Sequence, residues 1–337
     1  MLILSEEDIR GCFGMDDAID AVAEAFESFS AGGAEVPLRT VQPILGRDGN
    51  MIVMPGYVGG DAQRAAGTDS MGVKTLGFFE GNRKLGLPTI PATMLVMDPA
   101  TGMPAALLNG TYLTQLRTAA ASGAATRLLA RDDARTGALF GCGGQAACQL
   151  EALLATRDLD VVYVIDYFPE CAERFAERMS ERFGDTYRTR IEASSDAEKT
   201  VRAADVITCV TTSNDPVFDA SWVPDGCHVN GVGSYTPEMH ELPEALLGRA
   251  DRLLVDSRDA ILGEDGEILD AIAHGTLSGI DRCDELGELV AGKVCGRTSP
   301  DQVTVFKTVG IAAEDVVCAA RIVDAARSAG VGTEVAL

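Results

Sequence analysis

Two kinds of residue in this sequence have the type and spacing to do chemistry. The first is a glycine-rich turn, Gly141-Cys142-Gly143-Gly144-Gln145-Ala146, which reads G-x-G-x-x-A. The first glycine permits a tight turn, the second lets the backbone approach a pyrophosphate, and the small third residue lets a helix pack close to a sheet. An anion held this way rests on N–H groups and the positive end of a helix dipole, so it needs no lysine. Asp166 follows about 20 residues later, where a carboxylate accepts hydrogen bonds from ribose hydroxyls. It would repel a 2′-phosphate, and Tyr167 stands where an arginine would have favoured one, so NAD is expected rather than NADP. Thr211 and Thr212 follow an apolar run, at the carboxyl edge where such ligands bind or where a loop is simply capped.

The second kind is a few cations in apolar company. The chain has 51 Asp and Glu against 28 Lys and Arg, a formal net charge of −23. Lysine is scarce, and Lys74 lies in the apolar run Gly72–Phe79. Arg117 lies on an alanine-rich segment, although an arginine on a helix usually faces solvent. So acidic a surface repels phosphate backbones and anionic lipid, which excludes non-specific roles on nucleic acid or membranes.

These residues need elements to position them. Ser5 to Phe29 reads as helical, with Ser5 and Met15-Asp16 as start points and Ala18, Val22, Ala25, Phe26 and Phe29 at helical spacing, stopped by Gly32-Gly33. From Arg39 to Met97, short apolar runs separated by Gly, Pro, Asn and Asp read as an antiparallel sheet. Thr111–Ala130 reads as a long helix. From Ala134 onward, strands alternate with helices: Thr136–Phe140 runs into the glycine turn, Val161–Ile165 ends at Asp166, and Val206–Val210, His228–Val232 and Arg252–Asp256 continue the pattern. Such alternation gives parallel βαβ units. Val303–Val309 reads as a strand and Ala312–Ala329 as an amphipathic helix.

A chain of 337 residues exceeds the ~250 at which single cores stop growing, so two domains are expected. The fold class is α/β: a Rossmann-type doubly wound parallel sheet over 123–304, plus an α+β domain from 1–122 and 305–337. No run of ~18 apolar residues predicts a membrane span, and Met1–Asp8 lacks the pattern of a secretory signal. Nine scattered cysteines without a C-x-x-C pair point to reduced thiols and a cytoplasmic protein, with no metal site. Cys142 is read as a small loop residue. His240 and Glu241 are read as a surface helix cap, His228 as a packed strand residue and Lys84 as part of an exposed turn.

Several stretches together resemble the ornithine cyclodeaminase/mu-crystallin family: Val36-Pro-Leu-Arg-Thr, Gly72-Val-Lys-Thr, Gly86-Leu-Pro-Thr, Asp98-x-x-Thr-Gly-x-Pro, Leu113-Thr-Gln-Leu-Arg-Thr-Ala-Ala, the glycine turn, Gly231-Val-Gly-Ser-Tyr-Thr-Pro and Phe306-Lys-Thr-Val-Gly. The resemblance implies a substrate and dimerisation domain, a Rossmann domain, a homodimer, and NAD(P) chemistry at the carbon–nitrogen centre of an amino or imino acid. It implies that Arg39, Lys74 and Arg117 bind a carboxylate, that Thr89 contacts substrate, and that Gly231, Val232 and Lys307 lie by the nicotinamide. Lys307 could equally pair with an acid across domains. The family's cyclodeaminases carry an aspartate where this sequence has Ser234 or Tyr235. A tyrosine, with an ordinary pKa near 10, is no ready base at neutral pH. It can donate a proton or orient water. The substitution argues against ammonia-eliminating cyclisation of ornithine and leaves imine reduction or amino-acid dehydrogenation intact, with Lys74 as proton donor. The remaining alternatives are the cyclodeaminase itself and a non-catalytic NAD(P)H-binding protein.

Overall fold

The computed structural model describes residues 1–59 and 69–336. The chain forms two compact units, Met1–Thr118 with Gly310–Leu337, and Ala119–Val309. The boundaries thus fall a few residues from the 122/123 and 304/305 expected.

The first unit is a mixed sheet under helices. Its strands are β1 (Leu2–Leu4), β2 (Ala34–Glu35), β3 (Thr40–Pro43), β4 (Asn50–Val58), β5 (Ser70–Phe78), β6 (Ala92–Met97) and β7 (Pro104–Asn109). The order runs from the C-terminal strand Thr333–Glu334 through β1, β7, β6, β5 and β4 to β2, with β3 also paired to β4. The pairing of β1 with β7 is parallel. Those of β4 with β5, β5 with β6 and β6 with β7 are antiparallel. One face is apolar at alternate positions, with Ile52, Met54 and Val58 on β4, Met94 and Val96 on β6, and Ala106 and Leu108 on β7 buried. The C-terminal helix Ala312–Ala329 packs on β4 and β5 and beside the N-terminal helices.

Those helices are α1 (Glu6–Cys12) and α2 (Met15–Ser30), which begin at the two expected start points, Ser5 and Met15-Asp16. Phe13 is extended and buried, and the N–H of Gly14 donates to the Asp17 carboxylate at 3.0 Å, which starts the second helix afresh. Helix α3 (Gly110–Leu129) is buried nearly all round through Leu113, Leu116, Ala120 and Ala124, which explains its alanine-rich, weakly patterned sequence.

The second unit holds β8 (Thr136–Phe140), β9 (Val161–Ile165), β10 (Arg190–Ala193), β11 (Val206–Cys209), β12 (His228–Gly231), β13 (Arg252–Val255), β14 (Asp284–Glu285) and β15 (Thr304–Lys307). Their order is β10-β9-β8-β11-β12-β15-β13-β14, and every pairing is parallel. Helices α4 (Ala146–Thr156) and α5 (Pro169–Phe183) follow β8 and β9. The order reverses between β8 and β11, the switch point where open sheets of this kind bind ligands. Strand β15 sits between β12 and β13, so Val305–Lys307 belong to this sheet and not to the first domain, where the 304/305 boundary put them. His228 is buried between Thr304 and Asn230, at 2.9 and 3.0 Å; burial, first of all, lowers its pKa to about 3 and keeps it a neutral packing residue.

At the start of α3, the helix that carries Arg117, the backbone passes close to β6. A Cβ at Gly110 would stand 2.6 Å from the Thr93 nitrogen and 2.7 Å from the Ala92 carbonyl carbon. Gly110→Ala is therefore expected to cost roughly 1–3 kcal/mol and lower the thermal midpoint, as read by circular dichroism.

Candidate functional site

The glycine turn leaves β8 through Gly141, whose φ of +98° belongs to the left-handed region and where a Cβ would lie 2.8 Å from the Val210 oxygen. At Gly143 a Cβ would meet nothing within 4 Å, so the turn is open on that side. Helix α4 then begins with no side-chain cap on its first turn, and Ala146 is fully buried against the sheet. Asp166, just past β9, accepts the Cys142 N–H at 2.9 Å on one oxygen and the Phe168 N–H at 3.0 Å on the other. Each oxygen keeps a lone pair for a further donor. Gly141, Cys142, Gly143, Gly144, Gln145, Ala146 and Asp166 are thus brought together by two adjacent strands. An uncapped helix start, an open glycine and a fixed carboxylate fit a dinucleotide with no cation required.

The Cys142 thiol is pushed up to about 12, by burial first and then by the charge of Asp166. It stays a protonated, unreactive loop residue at neutral pH.

The loops after β11 and β12 are joined by Glu241. Its fully buried carboxylate accepts the Thr211 N–H at 2.8 Å, the Thr211 hydroxyl at 3.1 Å, the Val232 N–H at 2.7 Å and the Gly233 N–H at 2.6 Å. The surface cap expected for Glu241 is wrong: its neighbour His240 stays partly exposed beside Asp270, while Glu241 turns inward to meet loop N–H groups. Thr212 is exposed, and Gly231 and Val232 are buried at the end of β12.

Lys307 lies opposite Gly231 in register. Its fully buried amine donates to the Ser234 oxygen at 2.9 Å and lies 3.1 Å from Asp265 and 3.3 Å from Glu267. Burial favours the neutral amine, but Asp265, Glu267 and Glu241 outweigh it and hold its pKa above the ordinary lysine value. The acids beside Lys307 belong to its own unit, not across domains. Ser234 is fully buried with its hydroxyl on the Met239 oxygen at 2.6 Å, whereas Tyr235 is partly exposed. Of the two positions that the resemblance offers for the family's aspartate, Ser234 is fully buried, and Tyr235 is partly exposed with its hydroxyl turned inward.

In the first unit, Lys74 lies on the buried face of β5, opposite Met54 of β4 and Met94 of β6. Its amine is 2.8 and 2.7 Å from the two oxygens of Asp315, on the C-terminal helix. Arg117, from α3, is 3.1 Å from Glu314 and 3.0 Å from Asp315. Arg39 donates to the Gly310 oxygen at 2.8 Å, at the start of the same returning segment. Burial, then the charges of Arg117 and Arg39, lower the Lys74 pKa, Asp315 opposes them, and the balance lies at about 8. Thr89, partly exposed, lies in the loop between β5 and β6, where its oxygen accepts the Phe79 N–H at 2.9 Å. Lys84 sits in an exposed turn of that loop.

Residues 1–330 match the model of the ornithine cyclodeaminase/mu-crystallin family. The chain belongs to this family. It is 34% identical over 335 residues to a Δ1-pyrroline-2-carboxylate reductase of Bacillus cereus, covering 99% of each chain. It is 34% identical over 334 residues to an alanine dehydrogenase of Archaeoglobus fulgidus, covering 99% of this chain and 98% of that one. Among solved structures, Thermococcus litoralis Δ1-pyrroline-2-carboxylate reductase in complex with NADH and L-proline superposes with a TM-score of 0.91 at 35% identity, over 99% of this chain and 100% of that one.

Glu314, Asp315 and Glu241 hold the site's cations and loops, yet the sequence of this ornithine cyclodeaminase/mu-crystallin chain does not single them out. No signal singled out the first two, because acids in the first turn of a helix, as in Ala312-Ala-Glu-Asp-Val-Val, are ordinary. Among the described residues no group of three or more His, Cys, Asp or Glu could hold a metal ion. Iodoacetamide at pH 7.5 is expected to alkylate exposed Cys295 and leave Cys142 unmodified, as read by peptide mass spectrometry.

Proposed function

We propose that this chain reduces the C=N bond of a small cyclic imino acid carrying one carboxylate. More broadly, it is an NAD(H)-dependent oxidoreductase acting on the C–N bond of an amino or imino acid, a conclusion supported by whole-length likeness to such enzymes. The observation that carries the finer reading is the buried cluster around Lys74. Arg39, Lys74 and Arg117 bring three positive charges against the two negative charges of Glu314 and Asp315. Such a concentration of cations suits the α-carboxylate of a substrate. Arg39 and Arg117 present guanidinium forks that can grip it in bidentate fashion. With its pKa at about 8, Lys74 can serve as a proton donor near neutral pH.

NADH, when bound, supplies the hydride that reduces the imine carbon. Gly141–Ala146 would hold its pyrophosphate, Asp166 its ribose, and the loops bearing Thr211, Thr212, Gly231 and Val232 would flank it, with Lys307 bracing them. Asp166 disfavours a 2′-phosphate, so NADH is preferred to NADPH. Lys74 protonates the imine nitrogen; Tyr235, lacking a carboxylate's basicity, orients water or substrate, and Thr89 contacts the substrate. The chain acts as a homodimer in the cytoplasm. Support for pairing comes from exposed apolar side chains on and beside β3 and β4, namely Leu38, Val41, Met51 and Leu45, the last 95% exposed. The nine free cysteines suit a reducing compartment.

The deciding assay offers NADH with preformed cyclic imines or 2-oxo acids plus amine, and NAD with ornithine or alanine. NADH oxidation on Δ1-pyrroline-2-carboxylate is expected; ammonia from ornithine without net redox change would instead mark a cyclodeaminase. Arg39→Ala is expected to raise KM for the imino acid by about tenfold or more, with kcat nearly unchanged, as fits loss of one charge-assisted contact. An unchanged KM would remove Arg39 from the carboxylate site.

A further inference from the structure

The charged groups around Lys74 come from three directions: Asp315 from the C-terminal helix, Arg117 from α3 with Glu314 held against it, and Arg39 from the segment before β3. Its strand neighbours, Met54 and Met94, are uncharged. The geometry points to Asp315 as the positioning residue of the reduction: its carboxylate fixes the Lys74 amine and keeps it charged for proton delivery to the substrate nitrogen. This inference rests on Lys74 being the proton donor.

An ammonium carries three N–H groups. Two meet the oxygens of Asp315, at 2.8 and 2.7 Å, which leaves the third for a substrate. One of those oxygens also lies 3.0 Å from the Arg117 Nε, so a single carboxylate sets the spacing between the proton donor and a carboxylate-binding arginine. Side-chain exposure is 0% at Lys74 and 1% at Asp315, so water does not screen the pair. Of the four influences on Lys74, burial, Arg117 and Arg39 favour the neutral amine, and Asp315 alone favours the ammonium. In the reaction, the N–H bond of Lys74 breaks and its proton passes to the imine nitrogen. The hydride of NADH forms the new C–H bond, NAD⁺ is left, and the neutral lysine regains a proton from water.

The test uses the full chain with NADH and Δ1-pyrroline-2-carboxylate, and follows kcat and KM against pH. In the unsubstituted protein kcat should fall as pH rises through about 8, because the acid form is the active one. Asp315→Asn removes the one influence favouring the ammonium, so the descending limb should move to lower pH. At pH 7.5 kcat should fall by about tenfold or more, with partial recovery in more acidic buffer and KM within about threefold. Asp315→Glu keeps the charge but displaces it, so the limb should stay while kcat falls. A merely structural role would lower both variants' thermal midpoints without moving the limb. An unmoved limb with undiminished kcat in Asp315→Asn overturns the inference. Should that variant not fold, undiminished kcat in Asp315→Glu overturns it instead. Lys74→Met separates the two readings: a limb that survives in this variant dismisses Lys74 as donor, whereas loss of the limb there, with none of the expected shift in Asp315→Asn, dismisses Asp315 alone.

Discussion

The first unit depends on the buried ion pair between Lys74 and Asp315, whose members lie 241 residues apart in sequence. Placing a lysine between methionines on an apolar sheet face is costly, since desolvation of an isolated ammonium exceeds what any single packing contact returns. The arrangement holds only because the C-terminal helix brings two carboxylates onto that face. Asp315 meets Lys74 and Arg117, and Glu314 meets Arg117. The alanine-rich face of that helix lets it lie close enough on β4 and β5 for short acidic side chains to reach. Register, helix docking and charge placement are therefore one problem with one solution.

The second unit solves a related problem at the carboxyl edge of its parallel sheet. Loops there expose backbone N–H groups that need acceptors. Asp166 takes the Cys142 N–H, tying the end of β9 to the loop after β8. Glu241 takes N–H groups from the loops after β11 and β12. Asp256, after β13, takes the Val309 N–H at 2.9 Å and the Thr308 hydroxyl at 2.6 Å, beyond β15. Buried carboxylates thus stitch successive loops together. Part of the large acidic excess of this chain is structural mortar, and only the remainder is surface charge.

What could be read in the sequence was local. The G-x-G-x-x-A turn, the strand ending at Asp166 and the alternation of strands and helices depend on neighbours within a few turns of chain, and the structure has them at those places. The antiparallel runs from Arg39 to Met97 were legible for the same reason. The helix starts at Ser5 and Met15 were legible too, because caps and first-turn acids are local signals; the extended, buried Phe13 between them was not. Nor was the place of β15, since a strand's pattern does not name its neighbours. Lys74 stood out by its surroundings, whereas Asp315 and Glu241 looked like ordinary acids at helix starts. Their partners lie far off in sequence or across a loop, and a side chain's inward turn is set by packing.

The first unit is assembled from segments on either side of the second, and this orders events during synthesis. Residues 119–309 form a continuous stretch with a complete sheet, so they can fold once they have emerged. The face of β4 to β6 that carries Lys74 is made earlier but is closed only by the helix Ala312–Ala329. The last strand, Thr333–Glu334, then pairs with β1, and the Met1 amine meets the Val335 oxygen at 2.9 Å. The segment translated before the second unit is thus finished after it. Until that helix arrives, an uncovered sheet carrying Lys74 has to wait, and the need to keep it from sticking to its neighbours is a demand on the nascent chain that the finished fold no longer shows.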